Sequence, residues 1–197
     1  KNLSIVAGKS LLEWTILAAK NAAQIKQILV STDDEYIAQV AKNAGVLIPW
    51  MRPDELARDD STSISVVLHE VKKWIAEKGH LKIVLLLEPT TPLRQPGVID
   101  SAIDLLLTSD ADSVISVCQI PHQFHPEETL QIKNQEIFPY LPNRTMKTRR
   151  LRGEQKSAYI SSGVVYAVKV EALLSHGSFF GQKVIPLETP WSEFVDI

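Results

Sequence analysis

Apolar residues recur along this chain with two different periods, and the alternation between them predicts its architecture. Ile64, Val67, Leu68, Val71, Trp74 and Ile75 form one stripe of a 3.6-residue helix that opens at Ser61 to Ser63 and closes at Gly79. Ile83 to Leu87 is instead an unbroken apolar run, as expected of a strand covered on both faces. Pro89 and Pro92 forbid further ladder pairing. The polar groups of Leu85 to Arg94, LLLEPTTPLR, are therefore delivered just past a strand's carboxyl end, where ligands bind in open α/β sheets.

The same two patterns extend to both sides. Ser10 caps a helix carrying Leu11, Leu12, Trp14, Thr15 and Ile16, and Ile25 to Ser31 reads as a strand. Thr32 and Glu35 have capping-box spacing before a helix with Ile37, Val40 and Ala41 on one face, which ends at Gly45. Val46 to Trp50 is a short strand and Arg52 to Asp60 a charged loop. Beyond the central strand, Pro96-Gly97 leads into a helix with Ile99, Ala102, Ile103 and Leu106 in register, and Ser113 to Gln119 is a strand. From Ile120 to Ser157 the pattern breaks, with prolines at 121, 126, 139 and 142, and reads as an excursion from the sheet. Gly163 to Val170, Lys183 to Leu187 and Phe194 to Ile197 return as strands, with a short helix from Glu171 to Leu174. Strands alternating with helices of this length predict an α/β fold, a doubly wound and mainly parallel sheet.

Composition narrows the classes. With 197 residues, 45% hydrophobic and 22% charged, the chain is expected to be a single domain over 1–197 with the 120–157 lobe inserted in it. A formal charge of -2 argues against a nucleic-acid partner, which favours a clear basic excess. No apolar run approaches the roughly 18 residues of a membrane span, and no signal-peptide pattern appears. Cys118 stands alone within an apolar strand and is read as a buried thiol, which fits a reducing cytoplasm. The chain opens at Lys1 without a methionine and stops at Ile197 inside a predicted strand, so both ends are expected to be trimmed.

Several polar groups stand where chemistry needs them. Arg52 precedes a loop that returns to Ser61, Thr62 and Ser63 at a helix start, and free amides with hydroxyls there suit a ribose or phosphate. The plain alternative, a solvated arginine and capping serines, is equally favoured by pattern alone. Arg144, Lys147, Arg149, Arg150 and Arg152 form a basic run, more often a solvated face than a site. His122 and His125 have no third ligand cluster and are read as loop residues rather than a zinc site.

Leu86, Leu87, Glu88, Pro89, Thr90, Thr91, Pro92, Leu93 and Arg94 resemble the Leu-Leu-Gln-Pro-Thr-Ser-Pro-Leu-Arg signature of the CMP-sialic acid synthetases, cytidylyltransferases that activate nonulosonic sugar acids. Arg52-Pro53-Asp54-Glu55-Leu56-Ala57 resembles the family's Arg-Pro-x-Glu-Leu-Ala segment. The resemblance implies a Rossmann-like nucleotide-diphospho-sugar transferase fold, with Arg52 reading cytosine and Ser61 and Ser63 contacting the nucleotide. Lys1-Asn2-Leu3 matches only the tail of the family's amino-terminal phosphate loop, so Lys1 and Asn2 would meet the CTP phosphates, and a chain without the rest of that loop is expected to be inactive. Arg152 would stabilise charge on phosphate oxygens, Arg150 and Glu88 would contact the sugar, and Asp196 would hold Mg²⁺. The lobe at 120–157 resembles the family's dimerisation lobe and implies a homodimer.

Departures gather on the sugar side. Glu88 replaces the usual glutamine, Ile160 and Ser162 stand in place of a basic residue and an asparagine, and Glu127 and Glu128 lie where a basic residue reaches the sugar. These changes imply a different nonulosonate, such as a legionaminic- or pseudaminic-like acid, or even a ligand lacking the carboxylate. The expected reaction is attack by the anomeric hydroxyl of a 2-keto-3-deoxy sugar acid on CTP, giving a CMP-sugar and pyrophosphate. Two alternatives stand beside it, a non-catalytic nucleotide- or sugar-binding module of the same fold, and a nucleotidyltransferase for another sugar or base.

Overall fold

The computed structural model describes residues 1–146, 155–194 and 197. A two-residue hairpin, β1 (Ile5–Val6) and β2 (Lys9–Ser10), leads into α1 (Leu11–Asn21). Here a capping box forms, because the Ser10 hydroxyl accepts from the Glu13 amide while the Glu13 carboxylate takes the Ser10 amide at 2.8 Å. The box expected at Thr32 and Glu35 is replaced by a simpler cap. In α2 (Glu35–Asn43) it is Asp34 that accepts from the Tyr36 and Ile37 amides, at 2.7 and 2.9 Å, and Thr32 turns back on the Asp34 amide. An aspartate one residue from the helix reaches those amides with its shorter side chain, leaving Glu35 inside the first turn.

The main sheet has four strands in the order β3 (Ile83–Leu86), β7 (Tyr159–Lys169), β4 (Ser113–Gln119) and β8 (Val184–Glu188). β4 and β8 are parallel, whereas β7 runs antiparallel to both β3 and β4. Three strands thus share one direction and β7 alone opposes them, because the chain returns from the 120–157 excursion at the end where β4 left. Period-two alternation sends Val84 and Leu86 to a core with α3 (Ser63–Lys78) and α5 (Val170–His176). It sends Ile83, Leu85 and Leu87 to a second core with α4 (Val98–Thr108). The sheet is therefore covered on both faces, as the unbroken apolar run predicted.

The first two predicted strands are reduced to one parallel bridge, Leu29 with Leu47, carried by Val30 N–H to Leu47 O and Leu47 N–H to Ile28 O. They close a third small core with Leu12, Ile16, Ala41 and Val46. Phe194 follows a 3₁₀ turn, Trp191–Glu193, and is not in a strand, while 195 and 196 lie outside the described residues. The excursion forms 3₁₀ turns at His122–Phe124 and Pro126–Glu128, then a separate hairpin of β5 (Leu130–Lys133) and β6 (Glu136–Pro139). Leu130, Ile132, Ile137 and Tyr140 of this arm are exposed. Cys118 is fully buried, and burial pushes its thiol up. No helix among the described residues is long and apolar enough to cross a membrane.

Candidate functional site

The loop that follows β3 is built around one guanidinium. Arg94 Nε donates to Val164 O (2.7 Å), Nη1 to Thr91 O (2.7 Å) and Thr15 Oγ1 (3.1 Å), and Nη2 to Glu88 O (2.6 Å) and Thr91 Oγ1 (2.9 Å). A guanidinium has five N–H donors, so this set consumes all of them. Burial lowers the Arg94 pKa to about 10, against the raising effect of Glu88 and Glu193, and the group stays charged at neutral pH. Glu193 is almost fully buried and burial pushes its carboxyl up, opposed by the Gln95 amide and by Arg94.

Opposite this loop, β7 carries a bulge. The register with β4 shifts between Ile115 and Val117, and Gly163 sits there with φ +70°. The bulge aims the Gly163 carbonyl at Thr91 Oγ1, 3.0 Å away, while Ser116 Oγ takes up the Val165 amide at 2.9 Å. A Cβ on Gly163 would stand 3.1 Å from Thr91 Cγ2 and 3.4 Å from Glu88 Oε2. Glu88 is thus laid across the one place in β7 where the strand has no side chain.

A second cluster forms where the Ile28–Ser31 segment ends. Arg52 N–H donates to Thr32 O (2.8 Å), Arg52 Nε to Ser31 Oγ (3.2 Å) and Arg52 Nη2 to Ser31 O (2.5 Å). Ser31 Oγ in turn lies 2.6 Å from Oε1 of Glu70, whose Oε2 accepts from the Trp50 indole at 2.5 Å. Lys73 stands over the Trp50 ring, 4.7 Å from its centroid. Among the described residues nothing accepts a hydrogen bond from Arg52 Nη1.

Ser61 Oγ donates to Glu55 O (3.2 Å), Thr62 caps α3, and Ser63 is its exposed first residue. The Lys1 carbonyl accepts from Ser4 and the Asn2 carbonyl from Leu12, which ties this end of the chain to the start of α1. α3 spans the two clusters, with Val71 in the core against β3 and Glu70 turned to Ser31 and Trp50. Arg150, Arg152 and Asp196 lie outside the described residues. Ile197 donates its amide to Thr90 O at 3.1 Å.

Among the described residues no group of three or more His, Cys, Asp or Glu is placed to hold a metal ion. Cavities of about 360 and 260 Å³ lie elsewhere, the larger between Leu3, Tyr36 and Asn43. Neither is lined by Arg52 or Glu88, and shallow hollows of this kind decide nothing about chemistry at the strand ends. Arg94, Ser31, Glu70 and Gly163 were missed as site-building residues. Glu70 had a signal, since it lies three residues after Val67 and four before Trp74, on the inward side of its helix.

Comparisons with known proteins bear on the family and the fold. A family model described as cytidylyltransferase matches residues 1–179. The CMP-N,N'-diacetyllegionaminic acid synthase of Legionella pneumophila is 30% identical over 198 residues, covering 100% of this chain and 83% of that protein. The N-acylneuraminate cytidylyltransferase A of Danio rerio is 27% identical over 197 residues, and the chain spans only 44% of its length. A solved CMP:2-keto-3-deoxy-manno-octonic acid synthetase complexed with CTP superposes with a TM-score of 0.64 at 14% identity, covering 96% of this chain and 83% of that one, which shows a shared fold.

Proposed function

The chain belongs to the cytidylyltransferase family, and from that premise we propose that it transfers CMP from CTP to the anomeric hydroxyl of a nonulosonic sugar acid. The hydroxyl oxygen bonds to the α-phosphorus, the bond to the bridging oxygen breaks, pyrophosphate leaves and the hydroxyl proton passes to solvent. Positioning and charge stabilisation dominate such transfers.

The observation that carries the reading is the posture of Arg52. Ser31 holds one side of its guanidinium by Nε and Nη2, and Nη1 is left for a ligand. Arg52 is assigned the cytosine, with Ser61 and Ser63 on the nucleotide, where the first free amides of a helix attract negative charge. Lys1 and Asn2 are assigned the phosphates, Arg152 the charge of the transition state, and Glu88 with Arg150 the sugar. Mg²⁺ enters only through Asp196 and the substrate's own phosphates, and no step depends on it here.

On the sugar side, the Glu88 carboxyl lies over Gly163. That chemistry favours a hydroxyl- or amide-bearing acceptor, and the likeness to a diacetyllegionaminic acid synthase points the same way. The exposed apolar arm of β5 and β6 is proposed to pair with a second copy as a homodimer, and the compartment is proposed to be the cytoplasm. The test is pyrophosphate release from CTP and Mg²⁺ by the full encoded protein, offered a panel of nonulosonic and octulosonic acids. Release with one acid names the substrate. Silence across the panel, with CTP still bound, would sink the transferase reading.

A further inference from the structure

We infer that Ser31 and Glu70 act as a positioning pair that sets the orientation of the Arg52 guanidinium for the nucleotide. This rests on the reading that Arg52 meets the base. Glu70 is 8% exposed, between Val67 and Trp74 on its helix, and among the described residues no cation pairs with its carboxylate. A carboxylate in such a place is costly unless its oxygens are satisfied, and here two neutral donors do it, the Ser31 hydroxyl at 2.6 Å and the Trp50 indole at 2.5 Å.

That fixes the direction of the chain of bonds. Trp50 Nε1 can only donate, so Glu70 accepts there, and a carboxylate accepts at its other oxygen as well. The single proton of Ser31 Oγ must point at Glu70, and its lone pairs are turned outward. One of them receives Arg52 Nε at 3.2 Å. The second anchor, Arg52 Nη2 to Ser31 O at 2.5 Å, prevents rotation about the first. Two bonds to one residue hold the planar guanidinium in a single plane, and the negative charge two bonds away polarises the one through Ser31 Oγ.

Glu70 and Arg52 do not pair directly. Ser31 relays between them, which keeps the Arg52 charge from being neutralised by contact while its orientation is fixed. Trp50 supports the far oxygen of Glu70, and Lys73 over the indole ring limits movement of the ring.

The pair is tested in the full encoded protein by CTP titration and steady-state kinetics on Glu70→Gln, Ser31→Ala, Arg52→Ala and the Glu70→Gln/Arg52→Ala double variant. Glu70→Gln keeps the side-chain shape and removes the charge. The expected result is a rise in CTP Kd and KM of about three- to tenfold with kcat within about twofold, and a larger rise for Ser31→Ala. In the Arg52→Ala background the Glu70 change should add less than about twofold, since the two act through one group. A merely structural role would instead lower the melting temperature and the active fraction, leaving KM untouched. Trp50 emission serves as a local check, since loss of its charged acceptor should shift the spectrum.

If Arg52→Ala weakens CTP and Glu70→Gln does not, or if the two effects multiply, the positioning pair is overturned while the nucleotide reading stands. If Arg52→Ala leaves CTP binding unchanged, the assignment of Arg52 to the base fails and the positioning pair fails with it.

Discussion

Arg52 and Arg94 both lie in loops that follow extended segments, and they are used in opposite ways. Arg94 spends all five donors on protein acceptors drawn from α1, the β3 loop and β7, so it has nothing left for a ligand. Arg52 leans on one residue, Ser31, and keeps Nη1 in reserve. The difference teaches that an arginine in a motif is assigned by counting its donors. A guanidinium that organises carbonyls makes the loop rigid, and a guanidinium held by one side makes a recognition group.

The largest effect should follow from breaking the saturated member. Arg94→Ala removes the guanidinium donors from the carbonyls of Thr91 and Val164 and leaves Glu88 O with Thr91 alone, and it takes from Glu193 its nearby positive charge, a loss of about 3–5 kcal/mol of stability by urea unfolding. Arg94→Lys should recover little of it, because an ammonium has three donors and no planar fork. If Arg94→Lys melts like the parent, the loop is held by something else.

Gly163→Ala comes next. Its φ of +70° disfavours any Cβ, and the added carbon would press on Thr91 Cγ2 at 3.1 Å. A loss of about 1–3 kcal/mol is expected, measured by thermal unfolding, together with displacement of Glu88 that alters acceptor preference. No change in either would mean that β7 relaxes and Glu88 is not braced against it.

A pH effect sharpens the same comparison. Burial raises the Glu193 carboxyl above its ordinary 4.5, with the Gln95 amide and Arg94 pulling the other way. The folded state therefore holds that proton more tightly than the unfolded state. The stabilising contribution is complete below 4.5 and is lost as pH rises through the raised folded value. In Glu193→Gln this slope should flatten, as followed by denaturant midpoints across the acid range. An unchanged slope would assign it to other carboxylates.

Much of this was legible in the chain. The unbroken run Ile83 to Leu87 announced a strand covered on both faces, and the two cores against Val84 and Leu85 are its consequence. The proline-rich stretch announced the excursion, because Pro121 and Pro126 cannot continue a ladder. What could not be read was pairing at a distance. Nothing near Gly163 says that Thr91 will approach it, since the bulge exists only once β7 lies against β4. Ile25 to Ser31 looked like a full strand, yet ladder pairing depends on neighbours, and only the Leu29–Leu47 bridge forms. The spacing of Glu70 from Val67 and Trp74 turns it inward, but the partners that give it a role, Ser31 and Trp50, come together only in the fold. Arg94 stood in plain view in its motif, but whether an arginine faces the ligand or the protein is decided by carbonyls that sequence order does not bring together.

The measurement that goes most directly to the division between the two arginines is calorimetric titration of CTP into Arg52→Ala, with its thermal melt recorded on the same sample. Arg52 has one tether and a spare donor, so the melt should stay within about 0.5–1 kcal/mol of the parent. CTP affinity should fall at least about tenfold, the loss expected for a charged hydrogen-bond donor. CTP bound as tightly as by the parent, or a protein as unstable as Arg94→Ala, would contradict the assignment of Arg52 as the group reserved for the nucleotide.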